Sequence, residues 1–224
     1  MNGSLKKALN DTRGFAIYLS VFITFLNIMG VFGKNYSSVG FVMIFGGILT
    51  SVALENDRLR GWEGFERMLP VSSKQVVGGK FIMAAVSSGL SFVCAILGHI
   101  IGGAVCKAIG GKYDLPSPGE VTVIDAEFLR LISFISLIAL VVSALLLMIL
   151  YRFKNNTFMR FTTALLCVIS GCVCGLLVND DEDSFTGPLS RVSGTTLLAT
   201  LLISVCLFTL CTVLALKFYD KYKD

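Results

Sequence analysis

Apolar, nearly uncharged runs recur six times along the chain, at about 14–31, 38–54, 81–106, 128–151, 158–178 and 195–216. A helix needs roughly 20 such residues to cross the hydrocarbon core of a bilayer. The pattern therefore predicts an all-α polytopic membrane protein of six transmembrane helices, with residues 1–224 forming one transmembrane domain. The first run follows Lys6, Lys7 and Arg13 and so begins like a signal sequence. It has no evident A-x-A cleavage site and reads as a retained span. Six crossings put both termini on the same side.

Composition narrows the class. Of 224 residues, 54% are hydrophobic and 15% are charged, where an ordinary soluble domain carries about 25% charged residues. The mean hydropathy is +0.78. A soluble enzyme, a nucleic-acid-binding module and a disordered tail are all excluded. The seven cysteines, Cys94, Cys106, Cys167, Cys172, Cys174, Cys206 and Cys211, lie in or at the ends of apolar runs. They read as small hydrophobes rather than disulfide or metal ligands.

The formal charge of +4 matters through its distribution. With the N-terminus inside, the inner segments hold 14 Lys and Arg against 4 in the outer loops. Positive charge marks the cytoplasmic side, so both termini are predicted to be cytoplasmic. The run Asp180, Asp181, Glu182 and Asp183 falls in the last outer loop and reads as solvated. It lacks the spacing of a calcium-binding loop.

Inside the runs, ionisable residues are nearly absent. His99 lies well along the third run, and Arg130 stands near the outer edge of the fourth, beside Asp125 and Glu127. A pump driven by protons or sodium carries buried acids, histidines or arginines for coupling. A neutral His99 hydrogen-bonded between helices and an Arg130 that snorkels to the interface fit better than a relay. The energy source is expected in another chain.

The most informative stretch is the cytoplasmic segment 55–80, ENDRLRGWEGFERMLPVSSKQVVGGK. Leu59, Trp62, Phe65, Met68 and Leu69 fall along one face of a short helix. Pro70 disfavours helical geometry at Leu69 and ends it. Ser72-x-x-Gln75 offers a capping box for a new helix. That helix would run through Lys80 to Cys106, about 34 residues or roughly 51 Å, and would project below the bilayer. Trp62 and Phe65 then suit either a groove on a soluble partner or the headgroup layer of the membrane lipid.

Glu55, Trp62, the turn Met68-Leu69-Pro70-Val71-Ser72 and Lys80 at the mouth of the third run resemble the corresponding loop of ABC-2 type transporter permeases. In a small bacterial subgroup of that family an acid after span two is followed by an aromatic, an (T/M)LP(V/I)S turn and a lysine. The resemblance implies a six-span permease, working as a homodimer with two copies of a separate cytoplasmic ABC ATPase. It also implies that this loop is a coupling helix docked on the ATPase. Trp62, Phe65, Met68, Leu69 and Pro70 are then the docking residues. Glu55, Arg58, Arg67 and Lys80 supply charged contacts that set orientation. Export, with peptide as the favoured cargo and lipid or drug as alternatives, follows from the subgroup.

No phosphate-binding loop is present. Gly79-Lys80 is followed by Phe81 and Gly111-Lys112 by Tyr113, with Lys74 and Cys106 where the first glycine should stand. The chain is expected not to be an enzyme: ATP and magnesium belong to the partner, and this chain holds no cofactor or metal. One histidine excludes a paired-His zinc motif, and Ser91 is two turns from His99. No nucleic-acid partner is expected. Gly98-x-x-x-Gly102 and Gly171-x-x-x-Gly175 mark close helix packing, within one protomer or between two. The competing class is a non-transporting structural or regulatory membrane protein with an interfacial helix.

Overall fold

The computed structural model describes residues 3–32, 72–109, 126–153 and 194–221, together with the helical positions Phe161, Leu165 and Val168. Among the described residues there are four long helices and no strand. They are α1 (Gly3–Phe32), α2 (Ser73–Ile109), α3 (Ala126–Arg152) and α4 (Gly194–Lys221). Three stretches, Ser73–Ile109, Phe128–Arg152 and Gly194–Lys221, are long and apolar enough to cross a membrane; Ser20–Phe32 is a shorter apolar helix.

The start of α2 is set locally. The Ser72 backbone N–H donates to Gln75 Oε1 at 3.2 Å, and the Gln75 N–H donates to Ser72 Oγ at 3.4 Å. This is the reciprocal exchange of a capping box, which satisfies donors that a helix terminus leaves orphaned. From there α2 continues for 37 residues, about 55 Å at 1.5 Å each. Helix α1 begins at Gly3, well before its apolar run at Gly14. Nothing between Leu5 and Arg13 breaks a helix, and extending one costs far less than nucleating it.

Contacts between helices fix their directions. Gly98 of α2 lies against Thr24 and Asn27 of α1, and Gly102 against Ile28 and Val31. The numbers rise together, so α1 and α2 are parallel. Phe128, Ile132 and Ile135 of α3 pack with Ala95 and Cys106. Ala144, Leu147, Leu150 and Tyr151 pack with Val76, Val77, Phe81 and Ala84. α3 is therefore antiparallel to α2. Cys211, Ala215 and Tyr219 of α4 join that second cluster, which makes α4 parallel to α3. Phe32 and Ser72 consequently stand at opposite ends of the bundle, as do Arg152 and Gly194. The closest pairings are α1 with α2 and α3 with α4, so the described bundle is two helix pairs joined along α2 and α3.

The two faces of α2 differ in shape rather than in polarity. Ala84, Ser88, Ser91, Ala95, Gly98, Gly102 and Cys106 are buried at helical spacing along its length. Ile82, Val86, Leu90, Val93, Leu97 and Ile101 are exposed on the other side. Small residues let backbones approach where lipid offers no hydrophobic drive for association, and branched residues face the hydrocarbon.

A Cβ built at Gly98 would sit 2.5 Å from Asn27 Cβ and 2.6 Å from the Thr24 carbonyl oxygen. Gly98→Leu is thus expected to separate α1 from α2 and to lower the thermal midpoint in detergent, at a cost of ~1–3 kcal/mol or more. Gly89→Ala, where a Cβ meets nothing within 4 Å, is expected to leave the midpoint unchanged or raise it. Equal behaviour of the two variants would show that the seam is not close-packed.

Candidate functional site

Two places in the bundle gather the residues with functional potential. The first is the end of the bundle at which α2 starts and α3 and α4 finish. Ser72 ends the segment 55–71 and opens α2, whose first turns hold exposed Lys74 and buried Lys80. Lys80 is 5% exposed, so it occupies the bundle interior rather than the described surface. Around it, Phe81 meets Phe208 edge-on with ring centroids 5.5 Å apart. Tyr151 and Tyr219 meet edge-on at 5.8 Å. The Arg152 guanidinium lies 5.2 Å from the Phe218 ring centroid, within cation–π range. The start of α2 is thereby tied to the ends of α3 and α4.

Glu55, Arg58, Trp62, Phe65, Arg67, Met68, Leu69 and Pro70 lie outside the described residues, as do Gly171 and Gly175. The glycines Gly98 and Gly102 serve the α1–α2 contact within one protomer.

The second place is the junction of α1, α2 and α3 toward the other end. The His99 ring stacks on Phe128, with centroids 3.7 Å apart and planes at 21°. One residue earlier, Gly98 admits Asn27 of α1. Asn27 is 1% exposed, and its Nδ2 donates to the Ile23 carbonyl at 2.8 Å. Its Oδ1 is buried without a hydrogen-bond partner among the described residues, as is Ser88 Oγ. Asn27 was not singled out from the sequence, although an amide inside an apolar run signals an inward-facing position.

Most remaining hydroxyls are satisfied within their own helices. Thr24 donates to Ser20, Ser91 to Ser87, Ser143 to Leu140 and Thr212 to Phe208, at 2.8–2.9 Å. Such back-bonding to residue i−3 or i−4 removes the polar burden of a hydroxyl in lipid. Cys94, Cys106 and Cys211 are buried free thiols and Cys206 an exposed one. Arg130 is exposed. Among the described residues no His, Cys, Asp or Glu group is placed to hold a metal, and no carboxylate is buried.

Helices apolar on every side, hydroxyls turned back on their own backbone and small residues on the inner seam define a multi-pass membrane protein. The chain matches the family described as ABC-2 family transporter protein over residues 5–220 and belongs to it. It is therefore the membrane domain of an ABC transporter, a class of protein that works with an ATPase partner. No curated protein and no solved structure matches the chain.

Replacing Asn27 by Leu keeps the side-chain branching while removing the buried acceptor. Leaving such a group unpaired costs ~1–3 kcal/mol, so Asn27→Leu is expected to keep or raise the thermal midpoint. A clear fall would show that Oδ1 is satisfied in the membrane.

Proposed function

We propose that this chain is the permease subunit of an exporter, in which a separate cytoplasmic ATPase drives alternating access. The observation that carries the reading is α2. It is a capped helix about 55 Å long whose first residue follows directly on the segment bearing Trp62 and Phe65. Its start is bound into the cluster with the ends of α3 and α4. Its far half is bound to α1 through Gly98 and Gly102 and to α3 through the His99–Phe128 stack. A displacement at Ser72 reaches both ends of the bundle without passing through a loop.

Six crossings are supported by the helix directions. Chain ends at opposite ends of the bundle, Phe32 to Ser72 and Arg152 to Gly194, call for one further crossing in each interval. These coincide with the apolar runs 38–54 and 158–178. Exposed Phe161, Leu165 and Val168, at helical spacing, suit a lipid-facing stripe on the second of these. The positive-charge asymmetry supports cytoplasmic termini in a cell membrane.

The coupling helix carries Trp62, Phe65, Met68, Leu69 and Pro70 as docking residues, with Glu55, Arg58 and Arg67 setting orientation. Two permeases and two ATPases make the working assembly, a homodimer of this chain. ATP and magnesium are handled by the partner, and this chain is not an enzyme; the lack of a phosphate-binding loop in the sequence supports this. The cargo is apolar or amphipathic, with peptide ahead of lipid or drug. An interior in which Lys80 and His99 are the only buried Lys, Arg, His, Asp or Glu among the described residues favours such a cargo. The α1–α2 and α3–α4 pairs are the bodies that move, and the lighter contact between α2 and α3 is where the path opens.

The test is a mild-detergent pull-down of the tagged chain with an ATPase assay on the eluate. Wild type is expected to recover a P-loop protein in about equal amount. Trp62→Ala with Phe65→Ala is expected to cut that recovery about tenfold or more, the scale of a lost aromatic hot spot, with membrane insertion intact. Undiminished co-purification of the double variant would refute the docking assignment.

A further inference from the structure

Between the cytoplasmic half of α2 and α4 lies a lateral cavity of about 460 Å³, walled by Gly78, Ile82, Ala85 and Val86 of α2 and by Phe208 and Thr212 of α4. Its volume lies within the ~300–1,000 Å³ typical of small-molecule sites. Its chemistry is that of an alkyl chain: the Thr212 hydroxyl is already given to the Phe208 carbonyl, and every other wall group is aliphatic or aromatic. It opens sideways, since Ile82 and Val86 are more than half exposed. A Cβ at Gly78 would meet nothing within 4 Å, so the glycine deepens the groove rather than admitting a neighbouring helix. From Gly78 to Val86 the groove follows α2 for about 12 Å, within the depth of one leaflet.

Charge identifies what fills it. Lys74, exposed, lies one turn before Gly78, and positions 74, 78, 82 and 85 share a face at helical spacing. It sits in the first turn of α2, where the helix dipole adds positive potential. The α4 lysines Lys217 and Lys221 fall on the side of that helix away from Phe208 and Thr212, so the positive charge at the groove is that of Lys74 and the α2 N-terminus. We propose that this groove is a binding site for an anionic phospholipid of the cytoplasmic leaflet, with its phosphate at Lys74 and one acyl chain along Gly78, Ile82 and Val86 against Phe208. The cytoplasmic leaflet is where anionic headgroups meet basic juxtamembrane residues. The proposal needs the cytoplasmic placement of Ser72 but not transport activity.

The full-length chain, reconstituted in vesicles, is tested with phosphatidylglycerol and phosphatidylethanolamine probes carrying a photoactivatable group on one acyl chain. Adducts are then mapped by mass spectrometry. The expected result is labelling of Ile82, Val86 and Phe208 that favours the phosphatidylglycerol probe several-fold. Gly78→Leu fills the groove and is expected to lower this labelling about tenfold, the effect of losing a few buried methylene contacts. Ile82→Trp, at an exposed position, fills the same space should the first variant fail to insert. Lys74→Glu is expected to abolish the headgroup preference while leaving acyl labelling in place.

Equal labelling by the two probes, or labelling unchanged in the filled variants, would mean bulk lipid solvating an ordinary surface and would overturn the site. Absence of label from all three residues would overturn it as well, in favour of protein covering the groove. Each outcome is read without reference to ATPase recovery, so failure of the lipid site and failure of the transporter reading are distinguishable.

Discussion

The absence of water from the hydrocarbon core is the constraint on which this structure depends. A polar group there must find its partner within the protein. The chain answers helix by helix: Thr24, Ser91, Ser143 and Thr212 each return a hydrogen bond to their own preceding turn. Hydroxyls used in this way do little to hold helices together. Cohesion then has to come from close contact of surfaces, and close contact demands small residues. Gly98 and Gly102 bring the α2 backbone onto Thr24, Asn27, Ile28 and Val31 of α1, a distance that any other side chain would hold open.

Cohesion is unevenly distributed as a result. The α1–α2 contact is made through backbone at the two glycines, whereas α2 meets α3 through larger side chains, at the His99–Phe128 stack and in the cluster around Phe81 and Leu147. Contacts built from side chains have alternative rotamers and packings available. Contacts built on glycine and backbone have almost none. The close pairing of α1 with α2 thus follows from where the glycines fall, whereas α3 and α4 are paired through side chains such as Tyr151 with Tyr219 and Arg152 with Phe218. α4 buries Ser204, Cys211, Ala215 and Tyr219, and the groove lies to the outside of the Phe81–Phe208 contact that joins α4 to α2.

The elements most legible in the sequence were those set by local chemistry. The Ser72–Gln75 box and the unbroken run to Cys106 define α2 to within a few residues of the structure, because capping and the absence of breakers act over one or two turns. Helix α1 was less legible: its basic first third is not apolar, and hydropathy alone starts the element at Gly14 rather than Gly3. The direction each helix faces was hidden for a physical reason. Both sides of α2 are apolar, so periodicity in hydrophobicity carries no information. Residue size carries it instead, with Ser88, Ser91, Gly98 and Gly102 inward and Ile82, Val86 and Leu97 outward. Lys80 shows the same limit. Its charge suggested a docking surface, but its position between Val77 and Ala84 on the small-residue face puts it inside. The segment bearing Trp62 and Phe65 falls outside the described residues, so its docking role rests on the sequence alone.

A membrane domain of this kind gains direction only if an external event favours one arrangement of its helices over another, and it does so by contacts that differ between the two. In this chain those contacts have one short route inward. The cap at Ser72 opens α2, and the first turns of that helix are packed on the ends of α3 and α4 through Val76, Val77 and Phe81. Moving Ser72 must therefore either carry α3 and α4 along or slide α2 past them. The glycine contact with α1 resists separation of α2 from its parallel partner, and the side-chain seam between α2 and α3 is the less constrained of the two. That seam contains Phe81, Leu147, Ile132 and the His99–Phe128 stack, aromatic and aliphatic groups with the His99 ring and the buried Lys80 beside them as the ionisable members. An interior so lined holds few ionisable groups, and the same scarcity of charge within the described spans leaves the cohesion of the helices to close packing.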